Sequence, residues 1–157
     1  MKRLFLPLLL LAGICAGQKY SGPEPEKPDL PYLLHATSLV ATEAGDAQEE
    51  QKKDVTTYWV NGASSPVKTP LSEPIFLLKA DKLAPERMTL FKMEVKNGRR
   101  EVSMNAKKAK DSAKPVPLSV KRLDQGLYRL EANDMMGPGE YCLSPEGANQ
   151  VFCFQVY

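Results

Sequence analysis

Apolar and polar residues alternate along most of this chain in short runs with a period of two. Residues 55–60 (VTTYWV) are β-branched or aromatic almost throughout, Ile75–Lys79 (IFLLK) is a short apolar run, and residues 32–42 are apolar and partly β-branched. Each reads as a strand. Met88–Lys96 and residues 99–104 flank Asn97-Gly98, the strongest two-residue hairpin signal. That turn sets Met93 opposite Val102 and Phe91 opposite Met104, with Lys92, Glu94, Glu101 and Ser103 on the other side. Glu94 facing Glu101 is unfavourable, and diagonal contacts with Arg99 and Lys96 offset it. One apolar and one wet face suits an antiparallel sheet covered on one side.

Residues 118–123, 127–131, 140–143 and 151–156 bring the total to about nine short strands separated by Gly/Pro turns. The polar stretch 43–54 reads as a long loop, in which 46–53 has good helix formers without an apolar stripe. Residues 61–74 hold three prolines and read as a connector, and 105–115 (NAKKAKDSAKP) as a mobile Lys-rich loop. Short strands, frequent turns and no amphipathic helix together predict an all-β, antiparallel sandwich.

The last two strands carry Cys142 and Cys153. Placed as direct cross-strand neighbours, they set Tyr141 opposite Phe154 and Leu143 opposite Phe152, with those four on one face and the cysteines on the other. A bridge there needs a non-hydrogen-bonded pair and contributes about 3 kcal/mol or somewhat less on the chain-entropy model. The alternative is two free thiols.

The N-terminus gives that bridge an oxidising destination. Lys2 and Arg3 precede an apolar run over 4–16 that closes on Ala16 and Gly17, the layout of a secretory signal peptide over 1–17. The run is shorter than the roughly 20 residues a spanning helix needs, so no membrane span is expected once it is removed; an uncleaved anchor is the alternative. Leu11-Ala12-Gly13-Ile14-Cys15 is similar to the bacterial lipobox, but Ile14 stands where a small residue belongs, which argues against acylation of Cys15. Either way two cysteines remain, an even count in an exported chain. Removing Lys2 and Arg3 also cancels the net charge, since the chain has 21 basic and 19 acidic residues. Residues 18–29 (QKYSGPEPEKPD) read as an extended Pro-rich tether, and 30–157 as a single domain. The absence of any Asn-x-Ser/Thr acceptor fits bacterial export.

Met136-Gly137-Pro138-Gly139-Glu140-Tyr141 resembles the tyrosine corner of Greek-key, immunoglobulin-like β-sandwiches, Leu-x-Pro-Gly-x-Tyr, with Met136 in place of the Leu. The resemblance implies that the Tyr141 hydroxyl bonds backbone a few residues upstream and pins a corner between strands. A corner role would draw its ring partly away from Phe154. The sequence departs from antibody-type domains in that its bridge is local and Trp59 lies far from it. The resemblance concerns fold and names no functional family.

Catalytic chemistry is sparsely signalled. His35 is the only histidine and no Gly-x-Ser-x-Gly elbow exists, so it reads as a half-buried strand histidine with a satisfied hydrogen bond. No zinc, calcium or phosphate motif is present, and no cofactor or metal is expected. The methionines invite copper(I), but Met93 and Met104 read as core fillers. Tyr58 and Trp59 are a candidate sugar-stacking pair, unless alternation turns one inward and lays the other over the sheet edge. Residues 92–122 carry ten basic and three acidic residues, and 24–54 eight acidic and three basic. Lys107, Lys108 and Lys110 are therefore candidate anion contacts; the competing reading is a solvated loop, and without interleaved aromatics nucleic acid is not expected.

These features predict an exported, non-enzymatic binding or structural module of the cell envelope or extracellular space, with a protein or glycan partner. The alternatives are a hydrolase of an envelope polymer with a carboxylate pair the sequence does not single out, or a basic-face binder of an anionic polymer.

Overall fold

Alternation becomes two sheets whose inward side chains meet in a shared core. The computed structural model describes residues 19–157; the leader expected at 1–17, Cys15 and Gln18 lie outside the described residues. Fourteen strands are present among them: β1 (Tyr32–His35), β2 (Ser38–Ala41), β3 (Glu43–Asp46), β4 (Gln48–Lys52), β5 (Val55–Asn61), β6 (Lys68–Thr69), β7 (Ile75–Lys79), β8 (Met88–Lys96), β9 (Arg99–Asn105), β10 (Pro115–Val116), β11 (Leu118–Asp124), β12 (Leu127–Ala132), β13 (Gly139–Pro145) and β14 (Gln150–Val156). One sheet runs β11-β12-β7-β1-β2; the other runs β3-β14-β13-β8-β9-β5-β4, with β10 added on β8 and β6 on β14. All pairs are antiparallel except β6 with β14. The fold is an all-β sandwich.

Between the sheets, Leu33, Phe76, Leu78 and Leu130 meet Leu90, Leu143, Phe152 and Phe154, all fully buried. Phe76 and Phe154 make an edge-to-face contact at 5.1 Å between ring centroids. Each such side chain contributes about 1.5–3 kcal/mol by leaving water, so this layer dominates stability. The C-terminal hairpin has the expected register, Cys142 opposite Cys153, Tyr141 opposite Phe154 and Leu143 opposite Phe152. The disulfide is formed, with Cα atoms 4.0 Å apart, the close approach that a non-hydrogen-bonded pair provides. The Asn97-Gly98 turn also holds its register, Glu94 opposite Glu101. Lys96 reaches Glu101 on the diagonal at 3.8 Å, and the larger compensation runs along each strand, Lys96 pairing with Glu94 and Arg99 donating to Glu101 at 2.7 Å.

Several polar segments are more ordered than their composition suggests. The run expected as one strand over 32–42 is a tight hairpin, β1–β2, with Ala36 at φ 54°. The stretch expected as a loop over 43–54 forms β3, on β14, and β4, on β5. Helix propensity at 46–53 is a weak prior, and pairing with the β-branched β5 through the Lys53-Asp54 turn overrides it. Both strands end the sheet, where charged side chains are the usual defence against edge pairing. The connector over 61–74 contributes β6.

The Pro-rich segment makes specific contacts with the sandwich. Asp29 N–H donates to the Lys79 carbonyl at 2.8 Å, and the Asp29 carboxylate accepts from the backbone N–H groups of Asp81, Lys82 and Leu83 at 2.9–3.1 Å. Burial alone would raise that carboxyl; the three N–H donors outweigh it and hold it below its ordinary value. Pro25 is buried, and Pro23, Glu26 and Leu30 flank one hollow with Tyr32, Leu39 and Ala41.

The nine-stranded sheet is rolled. Between β3 and β9 lie β14, β13 and β8, so a flat sheet would separate their backbones by about 19 Å at 4.7–4.9 Å per step. Arg100 of β9 nevertheless donates to Glu43 of β3 at 2.7 Å. The pairing of β8 with β9 stops at Glu94–Glu101; beyond it β9 follows β5 while β8 stays on β13. The face carrying the cysteines therefore closes on a second core of Met93, Val102, Cys142, Val151 and Cys153, joined by Tyr58, Val60, Phe91 and Met104. Met93 and Met104 fill this inner core of the roll and not the layer between the sheets.

Asn97 and Gly98 both have positive φ, 52° and 75°, and a Cβ added to Gly98 would meet open space. The cost of Gly98→Val is then confined to the backbone, about 1–2 kcal/mol. Urea unfolding of that variant is expected to show this loss; an unchanged midpoint would contradict the turn assignment.

Candidate functional site

The inner core has a charged end and an apolar end. Arg100 shares its strand face with Val102 and Met104, so alternation drives its side chain inward, and it is only 1% exposed. Its guanidinium makes four hydrogen bonds. Nη1 and Nη2 donate to the two Glu43 carboxylate oxygens at 2.7 and 3.0 Å, Nη2 also to the Asn61 carbonyl at 3.1 Å, and Nε to the Gly62 carbonyl at 3.0 Å. Glu140, 4% exposed, lies 3.8 Å from Nη1 and accepts from the Ser65 N–H at 2.9 Å. Four parts of the chain converge here: β3, β9, β13 and the 61–65 loop. Burial alone would raise the Glu43 carboxyl. The bidentate bond from Arg100, with help from Ser65 and the guanidinium charge, outweighs burial and holds it below its ordinary value. Bidentate geometry of this kind is what allows a buried guanidinium to offset its desolvation.

At the apolar end, the space between β5–β9 and β8–β13–β14 is not filled. A partly open cavity of about 270 Å³ remains, walled by Tyr58, Phe91, Met93, Val102, Met104 and Val151. The Cys142 side of the disulfide forms part of its lining, and Thr89, Ser144 and Asn149 bring polar groups to it. It exists because β9 leaves β8 after Glu101 while the Asn97-Gly98 turn still ties their ends. A lining of aliphatic, aromatic and thioether side chains with a few polar groups describes a binding pocket.

The residues singled out from sequence fall in different places. Cys142 and Cys153 are bridged and buried. Tyr141 donates its hydroxyl to the Gly137 carbonyl at 2.8 Å, the corner bond that the resemblance implies. Its ring also stacks on Phe154, centroids 5.9 Å apart, so it serves corner and core together. Tyr58 and Trp59 point to opposite faces. Tyr58 enters the cavity wall, while Trp59 carries the Arg99 guanidinium 4.4 Å above its ring. They do not form a joint stacking platform. His35 Nε2 meets Thr69 Oγ1 at 3.0 Å, a satisfied strand histidine.

Lys107, Lys108 and Lys110 sit on an exposed loop held by its own hydrogen bonds. Asn105 Oδ1 accepts from the Lys107 and Lys108 N–H groups, and Ala113 N–H reaches the Ser103 carbonyl. Lys107 pairs with Asp54 at 3.1 Å, and Lys110 borders a hollow shared with Glu94, Glu101 and Asp111. The basic run over 92–122 is not one uniform surface, because Arg100 is buried and Lys96 and Arg99 are engaged by glutamates. Among the described residues no three of His, Cys, Asp and Glu come together as a metal site would require.

Sequence reasoning missed Arg100, Glu43 and Glu140. The available signal was the alternation itself, which sets Arg100 on the Val102 side. No known family model matches the chain, and neither does any curated protein or solved structure.

Glu43 has a folded value below its unfolded one, so its contribution is present above the unfolded pKa and is lost as pH falls through the folded value. Urea midpoints are expected to drop on acidification below the ordinary carboxylate range, and less steeply in Glu43→Gln. Arg100→Met, which strands both carboxylates, is expected to cost about 3–5 kcal/mol at pH 7. Equal acid sensitivity in wild type and Glu43→Gln would contradict this assignment.

Proposed function

We propose that this chain is an exported, non-enzymatic binding module of the cell envelope or extracellular space. Its ligand is a protein or a glycan that seats an apolar group in the cavity of the rolled sheet. The observation that carries this reading is the cavity itself, apolar inside and polar at its edge. The disulfide supports an oxidising destination, and among the described residues no helix is long and apolar enough to cross a membrane. Glu43 and Glu140 form one carboxylate pair that a hydrolase reading would have to use. Both lie on one guanidinium, and Glu140 is buried, an arrangement suited to holding strands together.

The test is retention of material from a native envelope fraction on immobilised protein, comparing wild type with Met104→Lys, which places a charge in the cavity. Protease or glycosidase treatment of the fraction identifies the ligand class. Wild type is expected to retain a ligand that Met104→Lys releases and Lys107→Ala keeps. Equal retention by wild type and the cavity variant would reject the reading; loss with Lys107→Ala alone would point to the basic loop instead.

A further inference from the structure

The cavity's size and lining restrict what can enter it. An apolar cavity of 150 Å³ holds benzene, about 25 Å³ per carbon, so 270 Å³ corresponds to about ten or eleven carbons. The walls combine flexible or small aliphatic side chains with two rings, Tyr58 and Phe91. Met93 and Met104 are flexible thioethers that adapt to a chain of varying conformation, while Ala47, Val102 and Val151 present no ring face. A sugar ring needs a polar counterpart for each hydroxyl, and this interior offers none.

The edge supplies the remaining information. Tyr58, Thr89, Ser144 and Asn149 line the cavity, and none of their side chains has a hydrogen-bond partner among the described residues. Their hydroxyl and amide groups are available to a ligand. The one carboxylate at this edge, Glu146, is already bound by Arg87 at 2.6 Å, so the lining does not call for a charged head.

We propose that the group seated in the cavity is a single alkyl chain of about ten carbons, lying between Met93, Met104 and Val151, with an uncharged hydrogen-bonding head at Tyr58, Thr89, Ser144 and Asn149. This deepens the reading above and rests on it: the envelope ligand would be a protein or glycan that carries such a chain.

The test is calorimetric titration of the oxidised protein with a series of straight-chain alcohols from hexan-1-ol to tetradecan-1-ol. Binding is expected to be saturable and one-to-one. Affinity should rise about fourfold per methylene, the equivalent of 0.8 kcal/mol, and level off beyond about eleven carbons, where the cavity is full. Met104→Lys should weaken decan-1-ol binding at least about tenfold through the charge it buries, and Lys107→Ala should leave it unchanged. The chain-length series uses the wild-type protein alone, so it decides the matter even if the lysine variant folds poorly.

Absence of saturable binding, or an affinity that climbs without a break through tetradecan-1-ol, overturns the proposal. If the alcohols fail while Met104→Lys still releases a retained envelope ligand, the alkyl assignment falls and the binding-module reading stands. If the alcohols fail and retention is indifferent to Met104→Lys, both fall. Competition of decan-1-ol with a retained ligand supports the proposal for that ligand, and its susceptibility to protease or to glycosidase identifies the polymer that carries the chain.

Discussion

One buried guanidinium holds the rolled sheet closed. Arg100 reaches from β9 across the inner core to Glu43 on β3, with Glu140 of β13 beside it, and takes two carbonyls of the 61–62 turn as further acceptors. A charge in that position is expensive to desolvate, and a well-packed apolar side chain could replace the whole cluster without loss of stability. What the cluster supplies is geometry. It fixes which strands meet when a long sheet curls, and thereby sets the space left between them. The disulfide, the inner apolar core and the cavity all lie on the face that this closure encloses.

The two cores have different physical characters. The layer between the sheets is dry and aromatic, with Phe76, Phe152, Phe154 and Tyr141 interlocked. Tyr141 also fixes the approach to β13 through its bond to Gly137, so Glu140, its neighbour, is delivered to Arg100 by the same corner. The inner core is looser and richer in methionine, and it opens to solvent where β8 and β9 part. A rigid layer supporting a softer pocket is the arrangement a binding site needs.

Much of the fold was legible wherever local chemistry acted alone. Asn97-Gly98 dictated its turn through two positive φ angles, and the cysteine pair with its flanking aromatics dictated the last hairpin. Legibility failed where polar strands owe their conformation to a partner. Nothing local in Glu43–Asp46 or Gln48–Lys52 indicates a strand; β14 imposes it on the first from the far end of the chain, and β5 on the second across the Lys53-Asp54 turn. The rolling of the sheet is invisible to a period-two rule, which assigns faces but not curvature. Arg100 was counted with an exposed basic run because its residue type suggested solvent, although its alternation with Val102 and Met104 placed it inside. Tyr58 and Trp59 were read together because they are adjacent, yet adjacency in a strand is what separates them.

The central claim is that Arg100 and Glu43 act as one unit that closes the roll. A double-mutant cycle with Arg100→Met and Glu43→Gln, read by urea unfolding at pH 7, tests it most directly. The account predicts that the paired substitution costs less than the sum of the two single ones, with a coupling of about 1–3 kcal/mol. Strictly additive effects would show that the two side chains do not hold each other, and would contradict it.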